Sequence, residues 1–125
     1  MVRDLTKFKN TTTFVTTPKK VNKWFNKLNY AIFNNVLSPF SKITVKDTEK
    51  NWGCIRYHAH KINPKIAIEI HTEFVNKWFF INILAHEMVH KWQIEIIQDT
   101  GNHNKHFFSW RPAFALHGLD LNRKA

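Results

Sequence analysis

Residues 84 to 93 read LAHEMVHKWQ and set two histidines and a glutamate into an otherwise apolar stretch. Ionisable groups are costly to bury unless they are paired or bound to a metal. His86 and His90 are four residues apart, so on a helix both imidazoles point the same way, one turn above the other. That spacing lets two imidazoles bind one zinc ion, with Glu87 in reach of the water the ion would activate. The expected chemistry is hydrolysis, in which Glu87 acts as general base and then acid, taking and returning the proton of the attacking water. The alternative is three polar residues at a solvent edge. It fits the context less well: an apolar helix, preceded by an alternating strand and followed by a turn and further histidines.

Catalytic zinc needs three protein ligands and one open position. A histidine six residues after His90, behind a helix-breaking glycine, is excluded because those positions hold Ile96 and Gln93. Glu95 lies on the same helix and points elsewhere, Asp99 is close, and Asp120 is distant. His103 follows the Thr100-Gly101-Asn102 turn, which gives the chain slack to fold back over the helix. His106, three residues on, is its rival.

These residues need a scaffold. Thr17-Pro18 predicts an N-cap followed by proline in the first turn. Val21, Trp24, Phe25, Leu28, Ile32 and Val36 then keep helical spacing up to the stop at Ser38-Pro39. KITVK is a short strand. NWGCIRYHAH is another, with Ile55, Tyr57 and Ala59 on one face and Arg56, His58 and His60 on the other. KIAIEIH alternates, with Ile66, Ile68 and Ile70 facing inward. The central helix is expected from about Asn76 to Ile97, and a last helix through Phe107 to Gly118 should be kinked or divided by Pro112. Residues 1–17 read as an N-terminal leader with at most one edge strand, and 18–125 as one domain. The fold class expected is α+β, a small, mainly antiparallel three-stranded sheet packed against the central helix and flanking helices.

At 125 residues the chain is one domain by length. No run approaches the roughly 20 apolar residues of a membrane span, and MVRDLTKFKN does not resemble a secretory signal. Cys54 is the one cysteine, which excludes an intramolecular disulfide and a cysteine-based zinc finger, and suits an intracellular, cytoplasmic or nucleoid-associated setting. Lys+Arg 19 against Asp+Glu 9 gives +10, an excess that favours polyanions, above all nucleic acid. Lys19, Lys20, Lys23 and Lys27 on the first helix, with Arg56, are the expected phosphate contacts. Single-stranded DNA is the expected form, because an aromatic such as Trp92 or Trp110 near a basic face would stack a base. Otherwise the five tryptophans are expected in the core, and Cys54 as a small buried residue.

HEMVH, then about a dozen residues, then HNKHF resembles the SprT-like zinc metallopeptidases, which include the eukaryotic Spartan proteases. WGC before one strand and KIAIEIH before the active helix match the family layout, and the resemblance covers roughly residues 20 to 118. It implies a zincin-like fold, one zinc ion on His86, His90 and His103, Phe107 as the aromatic four residues after the third ligand, and His106 beside the site. It also implies that the substrates are proteins on or crosslinked to DNA. Asn104 stands where the family has glycine, and His106 where it has glutamate. Because the chain ends at Ala125, nucleic-acid binding is expected from the peptidase domain itself. Two rival readings are a zinc peptidase acting on a specific partner without DNA, and a non-catalytic DNA-binding module with structural zinc. The second conflicts with an open coordination position beside Glu87, since structural sites are closed by four protein ligands.

Overall fold

Thr17 opens the first long helix as expected: its side chain accepts from the Lys20 N–H at 3.1 Å, and Pro18 occupies the first turn. The structure is a computed structural model that describes residues 4–58, 62, 64–99 and 101–123. In chain order it contains a 3-10 helix (Leu5–Asn10), β1 (Phe14–Val15), α1 (Pro18–Ala31), β2 (Ile43–Val45) and β3 (Gly53–Arg56). β4 (Ala67–Ile70), β5 (Glu73–Phe74), α2 (Lys77–Glu95), α3 (Lys105–Phe108) and α4 (Arg111–Leu116) follow.

α1 buries Val21, Trp24, Phe25 and Leu28 along one face, then stops at Ala31, short of Val36. Asn34 and Asn35 adopt left-handed backbone (φ 54° and 60°), a conformation asparagine tolerates better than most residues. The buried Asn29 side chain secures the reversal by donating to the Leu37 carbonyl and accepting from its N–H. Val36, in phase with the helix by spacing alone, is therefore exposed.

The three-stranded sheet has the order β2–β4–β3. It is mixed rather than mainly antiparallel: β4 pairs antiparallel with β3 but parallel with β2. β2 and β3 are consecutive and resemble a hairpin in sequence. However, β4 carries the most completely buried residues of the three strands, Ile68 and Ile70, and takes the central place between them. Ile43, Val45, Ile55, Ile68 and Ile70 share register positions on the face that carries the core. On the other face Glu69 meets Arg56 at 3.3 Å and Lys46 at 4.0 Å.

A second, two-stranded ribbon joins β1 to β5 antiparallel, and Phe14 stacks on Phe80 with ring centroids 4.2 Å apart. Residues 5–10, within the segment read as a leader, pack on α2. Leu5 is buried in the core and donates its N–H to the His117 carbonyl at 2.9 Å, while the Thr11 hydroxyl accepts from the Lys77 N–H.

α2 is buried nearly all round, as a helix in the middle of a core must be. Asn76 caps it by accepting from the Phe79 N–H at 2.7 Å. The 3-10 helix, α1, β3, β5 and α3 all pack against it. Pro112 falls in the first turn of α4, so the last helical segment is divided into α3 and α4. Among the described residues no helix is long and apolar enough to cross a membrane.

Candidate metal centre and active site

Near the C-terminal end of α2, His86 and His90 present their imidazoles to the same point, and both are buried. After α2 the described residues 96–99 and 101–104 reverse the chain, with Gln98 and Gly101 in left-handed backbone (φ 55° and 78°). The reversal returns His103 over the helix. Its Nε2 lies 3.2 Å from His90 Nε2 and 3.4 Å from His86 Nε2. The three ligand atoms all fall within 4.8 Å of one another, an arrangement that could hold a metal ion. His103 is thus the third member of the cluster. His106, in the first turn of α3, is exposed and lies outside it.

Phe107 is the floor of the site. It is fully buried, and the centroids of all three imidazoles lie 4.7–4.9 Å from its own, the His90 ring stacked and the other two edge-on.

Polar groups stand behind the two helix imidazoles and behind the turn that carries the third. His90 Nδ1 stands 3.0 Å from Gln93 Oε1, and this amide oxygen can only accept, so the proton resides on Nδ1 and Nε2 keeps a bare lone pair. The Gln93 amide nitrogen donates to the Asn102 carbonyl at 2.8 Å, and to Asp99 and Asn104 at 3.3 and 3.2 Å. Asn104 in turn donates to Asp99 at 2.8 Å and caps α3 by accepting from the His106 and Phe107 N–H groups. One fully buried side chain therefore ties a helix histidine to the turn that carries the third. His86 hydrogen-bonds the backbone of Asn122.

Burial, followed by repulsion from neighbouring imidazoles, depresses His86 and His90. His86 is held down to about 3 and His90 to about 4, while His103 is lowered by burial and by Arg123. At neutral pH all three are uncharged, the form that ligates. Glu87 is buried, and burial raises its carboxyl to about 8. Its Oε2 lies 3.8 Å from His86 Nε2, but with His86 neutral this contact is not an ion pair. Gly53, on β3, lets the sheet approach α2 here: a Cβ at that position would stand 3.3 Å from Ile83 Cγ2 and 3.5 Å from Glu87 Cγ.

The remaining residues singled out by sequence lie elsewhere. Glu95 accepts from the Ser38 N–H and hydroxyl and pairs with the buried Lys91. Asp99 holds the turn, and Asp120 is exposed. Lys19, Lys20, Lys23 and Lys27 are exposed on α1, away from the cluster, and Arg56 lines a cleft with Lys42, His58 and Lys65. His60 and Thr100 fall outside the described residues. Trp92 and Trp110 pack against each other at 5.1 Å beside the core.

Gln93, Asn104 and Gly53 are the positioning residues that sequence reasoning missed. A glutamine in the middle of an apolar helix, three residues after a histidine, was the available signal. The chain matches no protein-family model, and comparisons with curated proteins and with solved structures find no match either.

Proposed function

We propose that this chain is a zinc-dependent peptidase of the SprT-like kind, with His86, His90 and His103 as ligands and Glu87 as the proton carrier. The observation that carries the reading is the convergence of three imidazole Nε2 atoms beside a buried glutamate. The donor set suits zinc. At a zinc–nitrogen distance of about 2.0–2.1 Å, nitrogens around a tetrahedral ion stand roughly 3.3–3.4 Å apart. Two of the three pairs stand at 3.2 and 3.4 Å, and all three ligand atoms lie within 4.8 Å of one another. Among the described residues three side chains converge and no fourth closes the set, which supports a catalytic rather than a structural site.

Zinc, when bound, supplies Lewis acidity that polarises the scissile carbonyl and brings the pKa of water down towards about 7. Glu87 then takes one proton as the water oxygen adds to the carbonyl carbon, and delivers it to the nitrogen as the C–N bond breaks. A cation held by the three imidazoles would favour the ionised Glu87 carboxylate, the form that accepts the proton. The substrate is a polypeptide bound extended beside the sheet. The targets we propose are intracellular proteins associated with or crosslinked to DNA, a reading supported by the +10 charge.

Glu87→Gln tests the mechanism. It should retain zinc while hydrolysis of an unfolded protein falls about 10²- to 10⁴-fold, the usual loss for a removed general base. Hydrolysis that continues at the parent rate, or that survives a chelator, refutes the reading.

A further inference from the structure

Six lysines from three elements converge at the N-terminal end of α2: Lys7 and Lys9 from the 3-10 helix, Lys20, Lys23 and Lys27 from α1, and Lys77 from α2. Five of them are seated on aromatic rings. Lys7 and Lys77 lie 5.2 and 4.3 Å from the Phe8 centroid, Lys27 and Lys77 both 4.8 Å from Trp24, Lys20 4.9 Å from Phe14, and Lys9 4.5 Å from Trp78. Among the described residues none of the six is in an ion pair. The carboxylate they influence is that of Asp4, which is lowered first by its hydrogen bonds from Thr6 and then by Lys7 and Lys9. Partial burial, then Lys23, Lys27, Lys7 and Lys20, hold the Lys77 ammonium below the ordinary lysine range, so these charges repel one another at close quarters. A freely solvated face would let them spread. Here the rings hold them together, and a polyanion is what relieves the repulsion.

We infer that this face binds the phosphate backbone of a nucleic acid, at a place separate from the metal centre and without selecting bases. Trp24 is buried, and each ring of the face already has an ammonium group over it, so none is left open as a stacking platform. Charge contacts fix a backbone without reading its sequence. Lys77 and His86 are nine residues apart on one helix, about 14 Å along its axis, and His90 lies about 20 Å from Lys77. A strand held on the lysines runs beside the metal centre rather than through it. If the peptidase reading holds, the nucleic acid brings proteins already attached to it within reach of the centre. The binding itself does not depend on that reading.

The experiment is fluorescence anisotropy of the full chain on short labelled duplex and single-stranded DNA across a salt series. Each phosphate contact contributes about 0.9 to the slope of log K against log salt for duplex DNA. Lys7→Gln/Lys23→Gln/Lys27→Gln should therefore flatten the slope by about 2 to 3. Lys42→Gln/Lys50→Gln/Lys65→Gln, with the same change in net charge on the sheet side, should leave it nearly unchanged. Thermal melting confirms that both variants fold. An equal loss in the two variants, salt-independent binding, a strong preference for one base composition, or binding to phosphatidylserine vesicles but not to DNA overturns the inference. Because binding is read without turnover, failure of the peptidase reading and failure of this one are distinguishable.

Discussion

Gln93→Leu removes the polar hub behind the histidine cluster while nearly preserving side-chain volume. Two of the lost hydrogen bonds are short, that from His90 Nδ1 at 3.0 Å and that to the Asn102 carbonyl at 2.8 Å. Each is worth about 1 kcal/mol, and a buried partner left unsatisfied costs about 1–3 kcal/mol more. His90 keeps a second contact with the Gly101 backbone, and Asp99 keeps Asn104, which limits the stranded groups to one or two. The expected loss of stability is therefore about 2–4 kcal/mol. Because the same change frees the His90 tautomer and loosens the turn that carries His103, zinc affinity should fall about 10- to 100-fold, the usual effect of losing a ligand's hydrogen-bond partner. Competition with a chromogenic chelator measures the affinity, and denaturant unfolding the stability. Gln93→Glu separates the two roles, since its carboxylate still accepts from His90 but cannot donate to Asn102 and faces Asp99. It should retain more zinc affinity per unit of lost stability than the leucine variant. Parent-like zinc affinity in Gln93→Leu would refute the argument that this residue holds the centre together.

His103→Ala should lose zinc at modest chelator concentration while His106→Ala keeps it, and the reverse pattern in a metal-content measurement would move the ligand role to His106. The metal-free protein should be most stable near pH 6.5. His86 and His90 at about 3 and 4 when folded, against 6.5, make the unfolded chain bind more protons below that pH. Glu87 at about 8, against 4.5, makes the folded chain bind more above it. With two protons on one side and one on the other, the slopes cancel where each imidazole of the unfolded chain is half protonated, and a melting temperature that changes in one direction from pH 5 to 8 would contradict this. Gly53→Ala places a methyl 3.3 Å from Ile83 and 3.5 Å from Glu87, so kcat should fall while zinc content stays the same. Unchanged turnover would show that the close approach of β3 to Glu87 does not set the carboxylate's position.

Much of the scaffold was legible because it is dictated by near neighbours in the chain. The helical phase of Val21, Trp24, Phe25 and Leu28, the caps at Thr17 and Asn76, the inward isoleucines of β4 and the break at Pro112 all depend on contacts a few residues away. The pairing of His86 with His90 is of the same kind, since a helix of 3.6 residues per turn cannot place them otherwise. α1 shows the limit of such reasoning. Its apolar spacing runs on to Val36, but two asparagines that can adopt left-handed backbone and a buried Asn29 end the helix five residues earlier.

What only the tertiary structure decided involves residues far apart in sequence, or choices that local spacing leaves equal. β2 and β3 could have paired with each other, and burial of Ile68 and Ile70 instead drew β4 between them and made the sheet mixed. Residues 5–10 have too little periodicity to announce a place in the core, yet Leu5 is buried there because the apolar residues at the start of α2 need cover on this side as well. His103 and His106 are equally able to ligate by type and nearly equal in reach. That His103 rather than His106 joins the cluster goes with the Gln93–Asp99–Asn104 network, in which a residue read only as a missing glycine becomes the anchor of the turn. The +10 charge was plain from composition, but its concentration on rings shared by three elements depends on packing that brings Lys7, Lys27 and Lys77 together across 70 positions of chain.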